Sequence, residues 1–147
     1  MITPQQIKLV KESWQSIAAM DALTTGEVFY NCLFEIAPEV KSMFSRASMN
    51  EQSGKLIYMI DNIIRNLDNM ENIMDSIAKL AGRHVNYGVQ EEQYTMVGRA
   101  LLWTLQKASG EKWDNELKQA WINCYTILAE VMIKAAKQNE QKNEMVY

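Results

Sequence analysis

Large apolar residues in this chain return every third or fourth position, not every second, and only two prolines and six glycines interrupt the pattern. That period places one apolar face on each α-helix and is incompatible with half-buried strands, so the chain reads as all-α. The first helix begins at "TPQQ": Thr3 can cap, Pro4 suits the first helical position and Gln6 completes a capping box. Its stripe is Ile7, Val10, Trp14 and Ile17. A second helix is expected over about residues 24–37, with Phe29, Leu33 and Ile36 on one side, stopped by Pro38. The turn "PEVKSMF" and the polar loop "SRASMNE" follow.

A third long helix is expected from about Gln52, carrying Leu56, Met59, Ile60, Ile63, Ile64 and Leu67. The segment "NIMDSIAKLAGRHVNY" places Ile73, Ile77, Leu80, Ala81 and His84 on one face, with Gly88 as the helix stop. Two longer helices close the chain. One carries Tyr94, Val97, Leu101 and Leu105 and is broken by Gly110; the other starts near Asp114 and carries Trp121, Tyr125, Leu128 and Met132. Residues 1–137 read as one domain and the polar stretch 138–147 as a frayed tail, with no internal repeat or linker. Trp14 and Trp121 read as core, the ten methionines as core and pocket filler, and Cys32 and Cys124 as ordinary buried thiols.

Composition narrows the function classes. A net charge of −3 argues against nucleic acid or an anionic membrane surface as the main partner. No run of 18 apolar residues suggests a membrane span, and the start "MITPQQIKLV" does not resemble a secretory signal, so a cytoplasmic location is expected. Two separated cysteines fit a reducing compartment. No GxSxG, P-loop, HExxH or dinucleotide-binding glycine motif is present. One histidine and two distant thiols do not make a tetrahedral zinc site without several carboxylates.

The single histidine, His84 in "GRHVNYGV", is therefore the residue to explain. On its own it reads as a packed histidine on an apolar helix face. Four features in order alter that reading: Phe29 and Tyr30 as "FY", "PEVKSMF" ending at Phe44, "EQSGKL" with Gln52 and Leu56, and "RHVNYGV" with His84. Over about residues 2–135 this order resembles the globin family, in particular bacterial single-domain haemoglobins and the haem domain of flavohaemoglobins.

The resemblance implies a globin fold, a 3-over-3 helical sandwich around haem, with its fourth helix short or missing because seven residues separate Phe44 from Gln52. It implies haem b as cofactor and His84 as the proximal iron ligand, its other ring nitrogen donating to a backbone carbonyl one turn earlier. Phe44 matches the aromatic packed on the haem face, Tyr30 a distal tyrosine that holds bound dioxygen, and Gln52 the distal position that is histidine in many animal globins. Leu56 and Val97 match pocket walls, and Val89 joins them as a pocket residue. Lys55 and Arg83 are candidate partners for the haem propionates. Gly26, four residues before Tyr30, and Ser53, next to Gln52, would allow a close crossing of two helices.

Tyr94 matches a tyrosine that in flavohaemoglobins joins the proximal histidine and a glutamate. The glutamate position falls on or near Ala136, with Glu130 and Glu140 close by. With no second histidine, a five-coordinate ferrous iron is expected. The implied function is binding of O2, and of NO, CO or other small haem ligands. An alternative is nitric oxide dioxygenation, with Tyr30 and Gln52 then serving the catalysis and a separate reductase as partner, since the sequence ends at Tyr147 without a flavin or nicotinamide domain. A haem-based gas or redox sensor is the third reading. A monomer or weak homodimer is expected.

Overall fold

A computed structural model of the chain describes residues 2–44, 48–86 and 89–146. The expected helices form, and their ends follow from the side chains that cap them. Helix α1 spans Pro4–Ala18: the Thr3 hydroxyl accepts the Gln6 N–H at 3.1 Å, and the Gln6 side chain accepts the Thr3 N–H at 3.0 Å. Helix α2 spans Ala22–Ile36, starting two residues before the expected Thr24, because the Asp21 carboxylate accepts both the backbone N–H and the hydroxyl of Thr24. Pro38 then opens a 3-10 turn, Pro38–Phe44.

Helix α3 spans Met49–Arg65 and starts three residues before Gln52, with the Ser48 hydroxyl accepting the Glu51 N–H. The expected loop "SRASMNE" thus ends in the first turn of a helix, and Gln52 sits inside it. Among the described residues no separate helix lies between Phe44 and α3. A short 3-10 turn, Met70–Ile73, leads into α4, Met74–Asn86; Gly88, the expected stop for this helix, lies outside the described residues. Helix α5, Glu91–Ser109, is capped by Gln90 and Gln93 and ends at Gly110, whose φ of 56° is a conformation that side chains disfavour. Helix α6 spans Asn115–Val146, started by the Asp114 carboxylate accepting the Leu117 N–H at 2.8 Å, and its backbone stays helical through the polar segment after residue 137. No described helix is long and apolar enough to cross a membrane.

Helix α2 packs on α3 and α5, α4 packs on α6, and α1 braces α3, α5 and α6. The base of the core is built from Val10, Trp14, Ile17, Ile64, Leu105 and Trp121. Trp14 and Trp121 meet edge to face with ring centroids 6.2 Å apart. Each indole N–H is satisfied, Trp14 donating to Asp61 and Trp121 to Ser13, so both rings are buried without a stranded donor. Cys124 is buried as expected, while Cys32 is only half-buried; Met20 and Met74 are exposed rather than filling the core.

Two close approaches decide how the helices sit. A Cβ added to Gly26 would lie 2.2 Å from the Cβ of Ser53 and 2.8 Å from its Cα, so α2 and α3 cross almost backbone to backbone. A Cβ on Gly98 would lie 2.8 Å from the Tyr125 ring, so α6 presses an aromatic face onto bare α5 backbone.

Candidate functional site

The apolar interior divides in an informative way. Above the base lie two further clusters. One gathers Ile63, Ile73, Ile77, Leu80, Ala81, Tyr94 and Met132, with Val89 packed against it. The other gathers Phe29, Tyr30, Leu33, Val40 and Ala100, with Phe44, Leu56, Met96 and Val97 packed against it. Each shares residues with the base, Met70 and Leu128 for the first and Leu101 for the second, but the two share none with each other. Helices α3 and α5 contribute to both. The helix carrying His84 supplies the first; the expected distal residues sit in or beside the second.

His84 lies in the last turn of α4, on the face that buries Ile77, Leu80 and Ala81. Its Nδ1–H donates to the Leu80 carbonyl at 2.8 Å, the interaction expected from the sequence. A carbonyl only accepts, so this bond places the proton on Nδ1 and leaves the lone pair of a neutral imidazole on Nε2. Burial, with a smaller effect from the Arg83 cation, holds the imidazole below its ordinary value of 6.5, against the opposing pull of the Leu80 bond. The ring stacks on Tyr94, centroids 6.3 Å apart and planes 23° from parallel. Tyr94 is buried, and its carbonyl accepts the Tyr125 hydroxyl across from α6.

This sets a pH dependence with a definite sign. The unfolded chain protonates His84 at about 6.5 and the folded chain only at lower pH, so the contribution to stability is complete above 6.5 and declines as pH falls below it toward the folded value. Chemical denaturation of the haem-free protein between pH 7.5 and 5 should show this decline, and His84→Gln should flatten it. Equal slopes in the two proteins would place the acid sensitivity elsewhere.

On the other side, Tyr30 is buried in a ring of aromatics. It meets Phe29 edge-on at 5.0 Å and Phe44 edge-on at 5.3 Å, with Phe34 at 5.8 Å. Burial pushes the Tyr30 hydroxyl above its ordinary 10.0, and the nearby Gln52 side chain pulls part of the way back. Burial thus holds the hydroxyl protonated, in the neighbourhood of the Gln52 side chain. The Gly26–Ser53 crossing accounts for that proximity, because Tyr30 lies one turn beyond Gly26 and Gln52 adjoins Ser53. Leu56 and Val97 pack around the same cluster, and Val89 lies on the His84 side, its N–H donating to the His84 carbonyl at 3.0 Å.

The remaining sequence candidates divide. Lys55 and Arg83 are both solvent-exposed. Ala136 is half-buried, Glu130 is exposed, and the Glu140 side chain lies outside the described residues. One contributor escaped the sequence reading. Tyr125 was legible only as a core stripe residue, yet its hydroxyl ties α6 to the Tyr94 backbone. Met43, Met49 and Met96 pack against the Tyr30 cluster, in keeping with methionine as core and pocket filler. The signal that could have found Tyr125 is the small residue at Gly98, one turn after Tyr94, against which its ring packs.

The globin family model matches residues 27–132 of this chain. The chain is a globin. It is 28% identical to neuroglobin-1 of Oncorhynchus mykiss, over 97% of this chain and 98% of that protein. It is 30% identical to a flavohemoprotein of Oceanobacillus iheyensis over 80% of this globin, a match that spans only 30% of the longer protein. Among solved structures it is similar to a bacterial globin from Campylobacter jejuni, with a TM-score of 0.83 and 30% identity over 95% of this globin and 99% of that chain. The expected resemblance to bacterial and flavohaemoglobin haem domains therefore stands, together with the all-α globin fold.

Proposed function

We propose that this globin binds haem b between the two apolar clusters and holds a diatomic gas, O2 first among them, against Tyr30 and Gln52. The observation that carries the reading is the His84–Leu80 bond: it fixes the tautomer a metal ligand needs, on a helix face next to a division in the apolar core. That donor chemistry fits haem, a flat apolar group with one metal to be held from one side. When bound, the haem supplies an iron atom with a position open to small gases.

The chain's own residues do the rest. His84 would hold the iron through Nε2, with Leu80 setting the ring's orientation and raising its basicity. Tyr94, stacked on the imidazole and tied down by Tyr125, limits the rotation of that ring. Tyr30 and Gln52 would present an O–H and an N–H to the gas, a pair of donors that favours ligands able to carry negative charge over neutral ones. Phe44, Leu56 and Val97 are apolar and would exclude water, which strengthens those hydrogen bonds. Lys55 and Arg83, both exposed, would pair with the haem carboxylates at the rim.

Tyr30→Phe tests the distal assignment. A hydrogen bond to a charged acceptor contributes about 1.5–3 kcal/mol, so O2 should leave the haem-loaded variant roughly ten-fold faster or more, while CO release changes little. An unchanged O2 release rate removes Tyr30 from the ligand site.

A further inference from the structure

On the outer side of α5, Arg99, Trp103 and Lys107 are spaced four apart and so share one face, and all three are exposed. Trp103 is 46% exposed in the middle of its helix, the largest apolar side chain left open to solvent among the described residues. Lys107 lies over its indole, 4.8 Å from the ring centroid. Helix α2 packs on α5 and brings Cys32 and Ile36, one turn apart and half-buried, together with the exposed Glu35. Burial raises the Cys32 thiol, and the charges of Glu35, Arg99 and Lys107 also bear on it. Cys32 therefore lies alongside Trp103, within reach of the cations one turn to either side of that residue.

Trp103, Cys32 and Ile36 give this face an apolar centre, and Glu35, Arg99 and Lys107 give it a charged rim. A tryptophan at the centre with arginine beside it is the composition of protein interfaces and of the residues that dominate their energy. The charges decide the occupant. Glu35 and Arg99 form no ion pair among the described residues, so both are open to a partner. An acidic partner would be drawn by Arg99 and Lys107 and repelled by Glu35, and a basic one the reverse. A second copy of the chain, related by a two-fold axis, meets neither conflict. The rotation sets Glu35 of each copy against the cations of the other, and every favourable pair forms twice.

We propose that the α2–α5 face centred on Trp103 is a dimer interface between two copies of this globin. Trp103 of each copy anchors it against the Cys32–Ile36 edge of the other, and Glu35 pairs with the cations of the other copy around that centre. Two residues turn an α-helix through a little over half a circle, so Tyr30 points into the fold while Cys32 lies toward the surface. Dimerisation thus leaves the proposed gas site in place, and the interface rests on no part of the haem reading.

Sedimentation velocity on the full chain, over a range of concentrations, tests this. A dimer that dissociates on dilution is expected. Trp103→Ala should raise its dissociation constant roughly 30-fold or more, the effect of truncating a central interface tryptophan. Glu35→Lys makes the rim wholly cationic, and Arg99→Glu with Lys107→Glu makes it wholly anionic. Each of these proteins alone should be monomeric where the unsubstituted chain is dimeric, and an equimolar mixture of the two should dimerise. All the substituted side chains are exposed, so the fold should persist, with circular dichroism as the control. A monomer at every concentration in the unsubstituted protein overturns the proposal. So does a dimer that survives undiminished in Trp103→Ala, or a mixture that stays monomeric. The Soret band, recorded on the same samples after haem addition, reads the His84 site separately and bears on haem binding alone.

Discussion

Replacing His84 by alanine should abolish or severely weaken haem binding while leaving a helical protein. His84 is the chain's single histidine, so no other imidazole can take its place. Losing an outer-shell partner of a metal ligand typically costs 10–100-fold in affinity, and losing the ligand itself should cost more than ~100-fold by the same scale. The fold should persist, because His84 is a half-buried residue near the end of α4 and lies outside the Trp14–Trp121 base of the core. Haem titration followed by the Soret band, with far-ultraviolet circular dichroism as the control for folding, measures both halves of this result. His84→Gly with added free imidazole sharpens it: the Soret band should return as imidazole occupies the vacated place. Full-strength haem binding by His84→Ala would sink the proximal assignment.

The second large effect is structural. In Gly26→Ala the new methyl would overlap the Cβ and Cα of Ser53, and a backbone, unlike a flexible side-chain tip, has nowhere to swing. Overpacking of this kind costs about 1–3 kcal/mol, occasionally more, and a backbone clash belongs at the upper end. At about 2–4 °C per kcal/mol for a chain of this size, the melting temperature should fall by roughly 10 °C. The displacement would also separate Tyr30 from Gln52, so O2 release should quicken in whatever protein remains folded. Ser53→Gly on the same chain should restore much of the loss by reopening the crossing, a coupling that a double-mutant cycle measures directly. If Gly26→Ala melts with the unsubstituted protein, the two helices do not cross as closely as described.

The helices were legible because their signals are local. Apolar spacing of three and four, the capping box at Thr3 and Gln6, and the stops at Pro38 and Gly110 act within a turn or two of the residues that carry them. Where boundaries shifted, at Asp21 and Ser48, the deciding residue was a short polar side chain whose cap is equally plausible as part of a loop until its acceptor is seen. His84 was legible by its uniqueness, and Tyr30, Phe44 and Gln52 by their order along the chain.

What the sequence determined by itself is therefore the class of fold, the family, and the short set of residues worth suspecting. The tertiary structure decided how those residues meet: that Nδ1 of His84 is committed to Leu80, that Tyr125 anchors the Tyr94 backbone, and that Gly26 lets α2 and α3 cross against Ser53, next to Gln52. Those are contacts between helices far apart in the chain. Spacing along one helix fixes which face a residue occupies, but the distance between two faces depends on the side-chain volumes packed between them, and that quantity exists only once the helices have met.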